Sequence, residues 1–247
     1  MPLSRELGRA LLWGGLLSAY GNGFNLLVSR TPPSRRGLLG IGGPVVLTAC
    51  LLAWHRAVDR GPLAALGLHG QRWRGGVVWG AVSGALLAVL PVLFFRPLAG
   101  RGMSVQFNEV CGLGLRSFLC RLLITTPLLV AFAEEFAFRG FLQRKLQQAL
   151  PERPVISVGL SSLSFALWHV VVNLRTLGET NVISGHRVPL PVALAAGLLS
   201  VFAGGLVFGG LFHATGSLVG PVMSHWVVDA LMLLALYRPD RGLRTED

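Results

Sequence analysis

The stretch Val130-Ala-Phe-Ala-Glu134-Glu135-Phe-Ala-Phe-Arg139-Gly-Phe-Leu-Gln-Arg-Lys145 decides how this chain is read. It closes an apolar run over residues 122–133 that only two threonines and a proline interrupt. Two adjacent glutamates then stand where the pattern calls for residues compatible with lipid. An ionised carboxylate at membrane depth costs at least a few kcal/mol, so an intramembrane acid points to function. On a helix Glu135 and Arg139 lie four apart and share a face, which lets them pair. Glu134 is turned by about 100° from Glu135 and has no such partner on its own helix. The spacing thus separates a neutralised acid from one left free for chemistry.

Outward from this stretch, the composition fixes the class. Of the 247 residues 52% are hydrophobic and 13% charged, against about 25% charged in soluble domains, and the mean hydropathy is +0.61. The expected fold is all-α, a polytopic transmembrane helical bundle. At roughly 20 residues per span, about seven spans fit (six to eight), over residues 10–28, 38–54, 75–95, 118–138, 155–172, 189–212 and 218–237. Residues 55–74 read as a polar loop with a short turn or helix at 63–68, residues 98–117 as an interfacial or re-entrant piece, and residues 173–188 as a polar loop. The fourth span is expected to continue as a helix to Leu150, where Pro151 and Pro154 stop it. Three units follow: residues 1–117 are membrane helices without a motif, 118–237 a helical core that holds the motifs, and 238–247 a polar tail. Arg5 and Arg9 precede the first apolar run, which reads as a retained membrane helix rather than a cleaved leader.

The net charge is +11, carried by arginines, since Lys145 is the only lysine. They are scattered between the apolar runs, as expected of loops that meet anionic headgroups, so membrane lipid is the expected partner and nucleic acid is not. Charges in alternate loops nearly balance and leave the orientation open. Cys50, Cys111 and Cys120 have neither disulfide nor zinc-cluster spacing and read as small core residues.

Of the eleven acids, only Glu134, Glu135 and Asp229 lie within apolar runs. His169, His213 and His225 lie in or beside spans, whereas His55, His69 and His186 fall in loops. Phe165 precedes His169 by one helical turn. His225 and Asp229 are four apart and share a face, as a catalytic pair or as a structural ion pair. His213, in Phe212-His213-Ala-Thr-Gly216, fits a cap or interfacial role better. Gly205 and Gly209, four apart, suit close helix packing.

These pieces together resemble the CPBP family, the type II CAAX prenyl endopeptidases and bacterial proteins linked to bacteriocin processing and immunity. The family pattern is a double glutamate followed by arginine (Glu134, Glu135, Arg139), a phenylalanine four before a histidine (Phe165, His169), and a histidine four before asparagine or aspartate (His225, Asp229). The resemblance covers about residues 118–237. It implies an intramembrane endopeptidase with its site between the fourth, fifth and seventh spans. Glu134 would be the general base for water, with His169 helping to hold it. His225, oriented by Asp229, would stabilise the oxyanion or shuttle a proton. Glu135, Arg139 and Phe165 would be structural. No cofactor is expected. Zinc is the alternative, with Glu134, Glu135, His169 and His225 as ligands. The implied substrate is a protein or peptide with a membrane-associated segment, and the implied location is a bacterial inner membrane. Two rivals stay open: a non-catalytic membrane scaffold or immunity protein, and a proton-coupled transporter.

Overall fold

The computed structural model describes residues 2–99, 112–179 and 188–237. All regular structure among them is helical. We number eight helices: α1 (Pro2–Arg30), α2 (Pro33–Trp54), α3 (Trp73–Ala99), α4 (Leu115–Ala149), α5 (Pro154–Trp168), α6 (Val170–Glu179), α7 (Leu190–Thr215) and α8 (Val219–Leu236). Each expected span falls on a helix. Four helical stretches, Ser34–Asp59, α4, α7 and α8, are long and apolar enough to cross a membrane, and a fifth if the pair α5–α6 is one bent span. Leu86, Leu123, Leu128, Leu199 and Leu234 face outward and exposed, as a lipid-facing surface requires and water would not tolerate over so wide a patch. The chain is a multi-pass integral membrane protein.

Two stretches differ from the sequence reading. The segment after the second span is not all loop: the helix runs on through a π turn over His55–Asp59, His55 is buried, and Asp59 binds Lys145 on α4 at 2.7 and 2.8 Å. Leu63–Leu66 then forms the expected short turn. The fifth span breaks at His169 and bends by 44° into α6, so residues 173–179 are helical rather than loop. Most of the 98–117 piece, Cys111, most of the rest of the 173–188 loop with His186, and the polar tail lie outside the described residues.

The longest helix, α4, is not uniform. Arg121–Ala131 and Phe136–Gln143 are π-helical, between shorter α segments. Pro127 lies within the first. Lacking an N–H, it leaves the carbonyl five residues back without its π partner. That carbonyl, Leu122 O, accepts instead from the indole Nε1–H of Trp226 on α8 at 2.9 Å. A proline in α4 thereby becomes a docking point for α8.

The register of the bundle is set by small residues. Arg139, Gln143 and Gln147 on α4 reach Gly205 O at 3.3 Å, Gly209 O at 2.9 Å and the His213 ring at 3.2 Å. Each contact spans 66 residues of sequence and each is one helical turn from the last, so α4 and α7 run parallel. Gly205 and Gly209 serve the packing expected of them. A Cβ at Gly205 would lie 3.0 Å from Ser162, and one at Gly209 2.8 Å from Gln143. On the other side, Gly76, Gly80 and Gly84 let α3 lie directly on α8, with Ser83 and Ser224 hydroxyls 2.9 Å apart. The core fills the space enclosed, around Phe136, Phe138, Phe141, Phe165, Trp168, Phe208 and Phe212.

Candidate active site

Within that aromatic core lie charges. Glu135 and Arg139 are fully buried. The pair on one face of α4 forms as the four-residue spacing anticipates, with Arg139 Nε 3.1 Å from Glu135 Oε2. The guanidinium also lies 4.3 Å from the centre of the Phe165 ring and 5.4 Å from that of Phe208. Aromatic faces carry partial negative charge and attract a desolvated cation. Phe165 thus supports Arg139 as well as His169, whose ring it meets edge-on at 4.6 Å.

Glu134 points elsewhere. Its Oε2 lies 3.5 Å from His169 Nε2 and 3.9 Å from His225 Nε2. This oxygen is buried and makes no hydrogen bond within the described residues. The two imidazoles come from α5's C-terminal end and from α8, so three helices converge on one carboxylate oxygen.

Each ring is held by its other nitrogen. His169 Nδ1 is 2.8 Å from Phe165 O. A carbonyl can only accept, so Nδ1 carries the proton. In the neutral ring Nε2 then presents a lone pair towards Glu134. His225 Nδ1 is 2.9 Å from Glu135 Oε1, and its ring stacks on Phe208 at 5.1 Å with 13° between planes. Asp229, the residue expected to orient His225, faces its Nε2 at 3.6 Å and is about one third exposed. Sequence reasoning missed this role of Glu135, because the two residues lie 90 apart in the chain.

All seven residues singled out (Glu134, Glu135, Arg139, Phe165, His169, His225 and Asp229) therefore meet at one place between α4, α5 and α8, with Phe208 and Gly205 of α7 closing it. His213 is set apart, at the end of α7 against Gln147. Of the four residues named for zinc, Glu134, His169 and His225 converge, while the two oxygens of Glu135 face His225 and Arg139. Among the described residues no group of three or more His, Cys, Asp and Glu is arranged to hold a metal ion.

Residues 116–231 match the family described as type II CAAX prenyl endopeptidase Rce1-like. The chain carries a CAAX-protease-like domain. No curated protein and no solved structure matches it. The matched segment runs from the start of α4 well into α8, so every residue of the converged cluster lies inside the CAAX-protease-like domain, and α1 to α3 lie outside. This match supports intramembrane CAAX-type protease activity in general.

Proposed function

We propose that the chain is a glutamate-type intramembrane endopeptidase, with Glu134 as general base. The observation that carries the reading is the buried Glu134 Oε2, without a hydrogen bond and facing two Nε2 atoms at 3.5 and 3.9 Å. With Nδ1 protonated, neutral His169 and ionised Glu134 face each other as two acceptors. A water about 2.8 Å from both donates one O–H to each, and its lone pairs then point out at an incoming carbonyl. Glu134 takes one proton as the water oxygen bonds to the carbonyl carbon. His225, doubly protonated, donates Nδ1–H to Glu135 and keeps Nε2–H for the oxyanion. Collapse of the tetrahedral intermediate breaks the C–N bond, and the proton held by Glu134 passes to the leaving amine. Balance needs only water and the peptide.

The substrate class that fits is a bacterial membrane protein carrying a terminal sorting or propeptide segment, cut near the inner-membrane surface. The apolar exterior supports lipid as the surrounding partner, and nothing in the cluster suits nucleic acid.

The test is Glu134→Gln in native membranes, scored on the terminal segments of membrane proteins by proteomics against a deletion strain. Processing should be lost while the variant accumulates normally. Normal processing by the variant defeats the reading and favours a scaffold or immunity role. Metal analysis of active purified protein, with a chelator arm, tests the metal-free chemistry.

A further inference from the structure

A side chain on α1, outside the CAAX-protease-like domain, completes the backbone beside His169. A continuous helix through residues 167–171 would have Val171 N–H donating to the Leu167 carbonyl. The chain bends there, and both groups turn to one side chain: Asn22 Nδ2 donates to Leu167 O at 2.7 Å, and Asn22 Oδ1 accepts from Val171 N at 2.8 Å. The carboxamide is inserted into the opened bond and satisfies both halves. An amide is suited to this, since it holds donor and acceptor on one planar group.

Further contacts line the same seam between α1 and α5. Ser18, one turn earlier on α1, donates to Ser164 O at 3.0 Å. At Gly21 the Trp168 ring lies against the helix so closely that a Cβ would fall 2.2 Å from it. On the far side of the break Asn173 Nδ2 donates to His169 O at 2.9 Å. Two other carbonyls of α5's last turn are used locally. Phe165 O is taken by His169 Nδ1 and Ala166 O by His169 N. The backbone of His169 itself sits at φ −91°, ψ 8°, between the α and β regions. Asn22 supplies two of the bonds at the break from a helix distant in sequence.

We propose that Asn22 is a positioning residue for catalysis, which splices the helix break so that His169 Nε2 is held towards Glu134. Without it, Leu167 O and Val171 N–H recover their mutual bond, the bend closes, and the imidazole moves away from the carboxylate. This rests on the glutamate-protease reading for its effect on rate, but not for its effect on geometry.

The experiment uses the full chain in lipid nanodiscs, with Asn22→Leu, Asn22→Asp and Ser18→Ala. Asn22→Leu removes both bonds at similar volume. Asn22→Asp keeps the acceptor for Val171 and loses the donor to Leu167. Ser18→Ala weakens the same helix seam without touching the break. Displacing a catalytic group by about 1 Å can lower a rate roughly 100-fold. Asn22→Leu should therefore lower kcat by about 10- to 100-fold with KM within about twofold. Asn22→Asp should fall between it and wild type, and Ser18→Ala should leave kcat within about twofold. The readout independent of activity is the NMR shift of the His169 ring nitrogens and the exchange rate of the Val171 amide, both changed in Asn22→Leu and unchanged in Ser18→Ala. Wild-type kcat or an unmoved His169 ring in a folded Asn22→Leu overturns the proposal, as does an equal loss in Ser18→Ala. Absence of cleavage by the wild-type protein, with the ring shift still present, overturns the protease reading instead and leaves the splice standing.

Discussion

Glu135 Oε1 lies 2.9 Å from the Nδ1 of His225, while its other oxygen faces Arg139. One buried carboxylate thus ties the arginine of its own helix to a histidine of another, and its neighbour Glu134 is left facing the two Nε2 atoms. The adjacent acids point to different sides of one helix, and in the proposed mechanism this divides support from chemistry.

That division is testable through stability. Removing one partner of a buried ion pair strands the other and costs roughly 3–5 kcal/mol. We expect Glu135→Ala and Arg139→Ala to be destabilised on that scale, read as loss of thermal unfolding temperature in detergent and of accumulation in membranes. Glu134→Gln should unfold no earlier than wild type. Equal destabilisation at both glutamates would contradict the split.

The two contacts of His225 make a second prediction. Asp229 meets only Nε2 at 3.6 Å and is partly exposed, whereas Glu135 holds Nδ1. Asp229→Asn should keep kcat within about tenfold of wild type. His225→Ala, by removing the proposed oxyanion donor, should lower it by about 100- to 1,000-fold. Steady-state rates on one membrane substrate distinguish them.

Close packing of α3 on α8 gives a third. A Cβ at Gly84 would lie 2.4 Å from the Ser224 carbonyl oxygen, next to His225, whereas one at Gly15 meets nothing within 4 Å. Gly84→Ala should destabilise by about 1–3 kcal/mol through overpacking and reduce activity by shifting α8. Gly15→Ala should be neutral or gain a few tenths to about 1 kcal/mol from helix propensity. Thermal unfolding of the two variants side by side measures the contrast.

The proline in α4 gives a fourth. Trp226→Phe keeps an aromatic side chain but leaves the Leu122 carbonyl without its donor. An unsatisfied buried acceptor costs about 1–3 kcal/mol, so the unfolding midpoint should drop accordingly. The double variant Pro127→Ala, Trp226→Phe should regain part of that loss, because the restored N–H can bond within the helix.

How much of this was legible in the chain follows from the range of each interaction. Hydrophobic runs of membrane length fixed the helices, since in lipid a backbone must satisfy its own polar groups. The spacing of four between Glu135 and Arg139 anticipated their pairing. The high cost of polar groups at membrane depth singled out Glu134, His169, His225 and Asp229 before any contact was visible. The extension of α2 to Asp59 and the helical character of residues 173–179 were not legible. Polar residues there read as loop, yet the Lys145 partner of Asp59 lies on a helix distant in sequence, and the Asn22 clamp at the bend that leads into α6 lies on another.

By itself, then, the sequence determined the class, the helices and the membership of the candidate site, all consequences of local periodicity and of solvation in lipid. Tertiary structure alone decided the contacts within it. Which nitrogen of His225 meets Glu135, what holds the break at His169, and why Glu134 Oε2 stands free depend on the register between helices, set by glycines whose missing side chains let backbones approach. Asn22 and Val171 are 149 residues apart, and no pattern within one helix records that the first completes the backbone of the second.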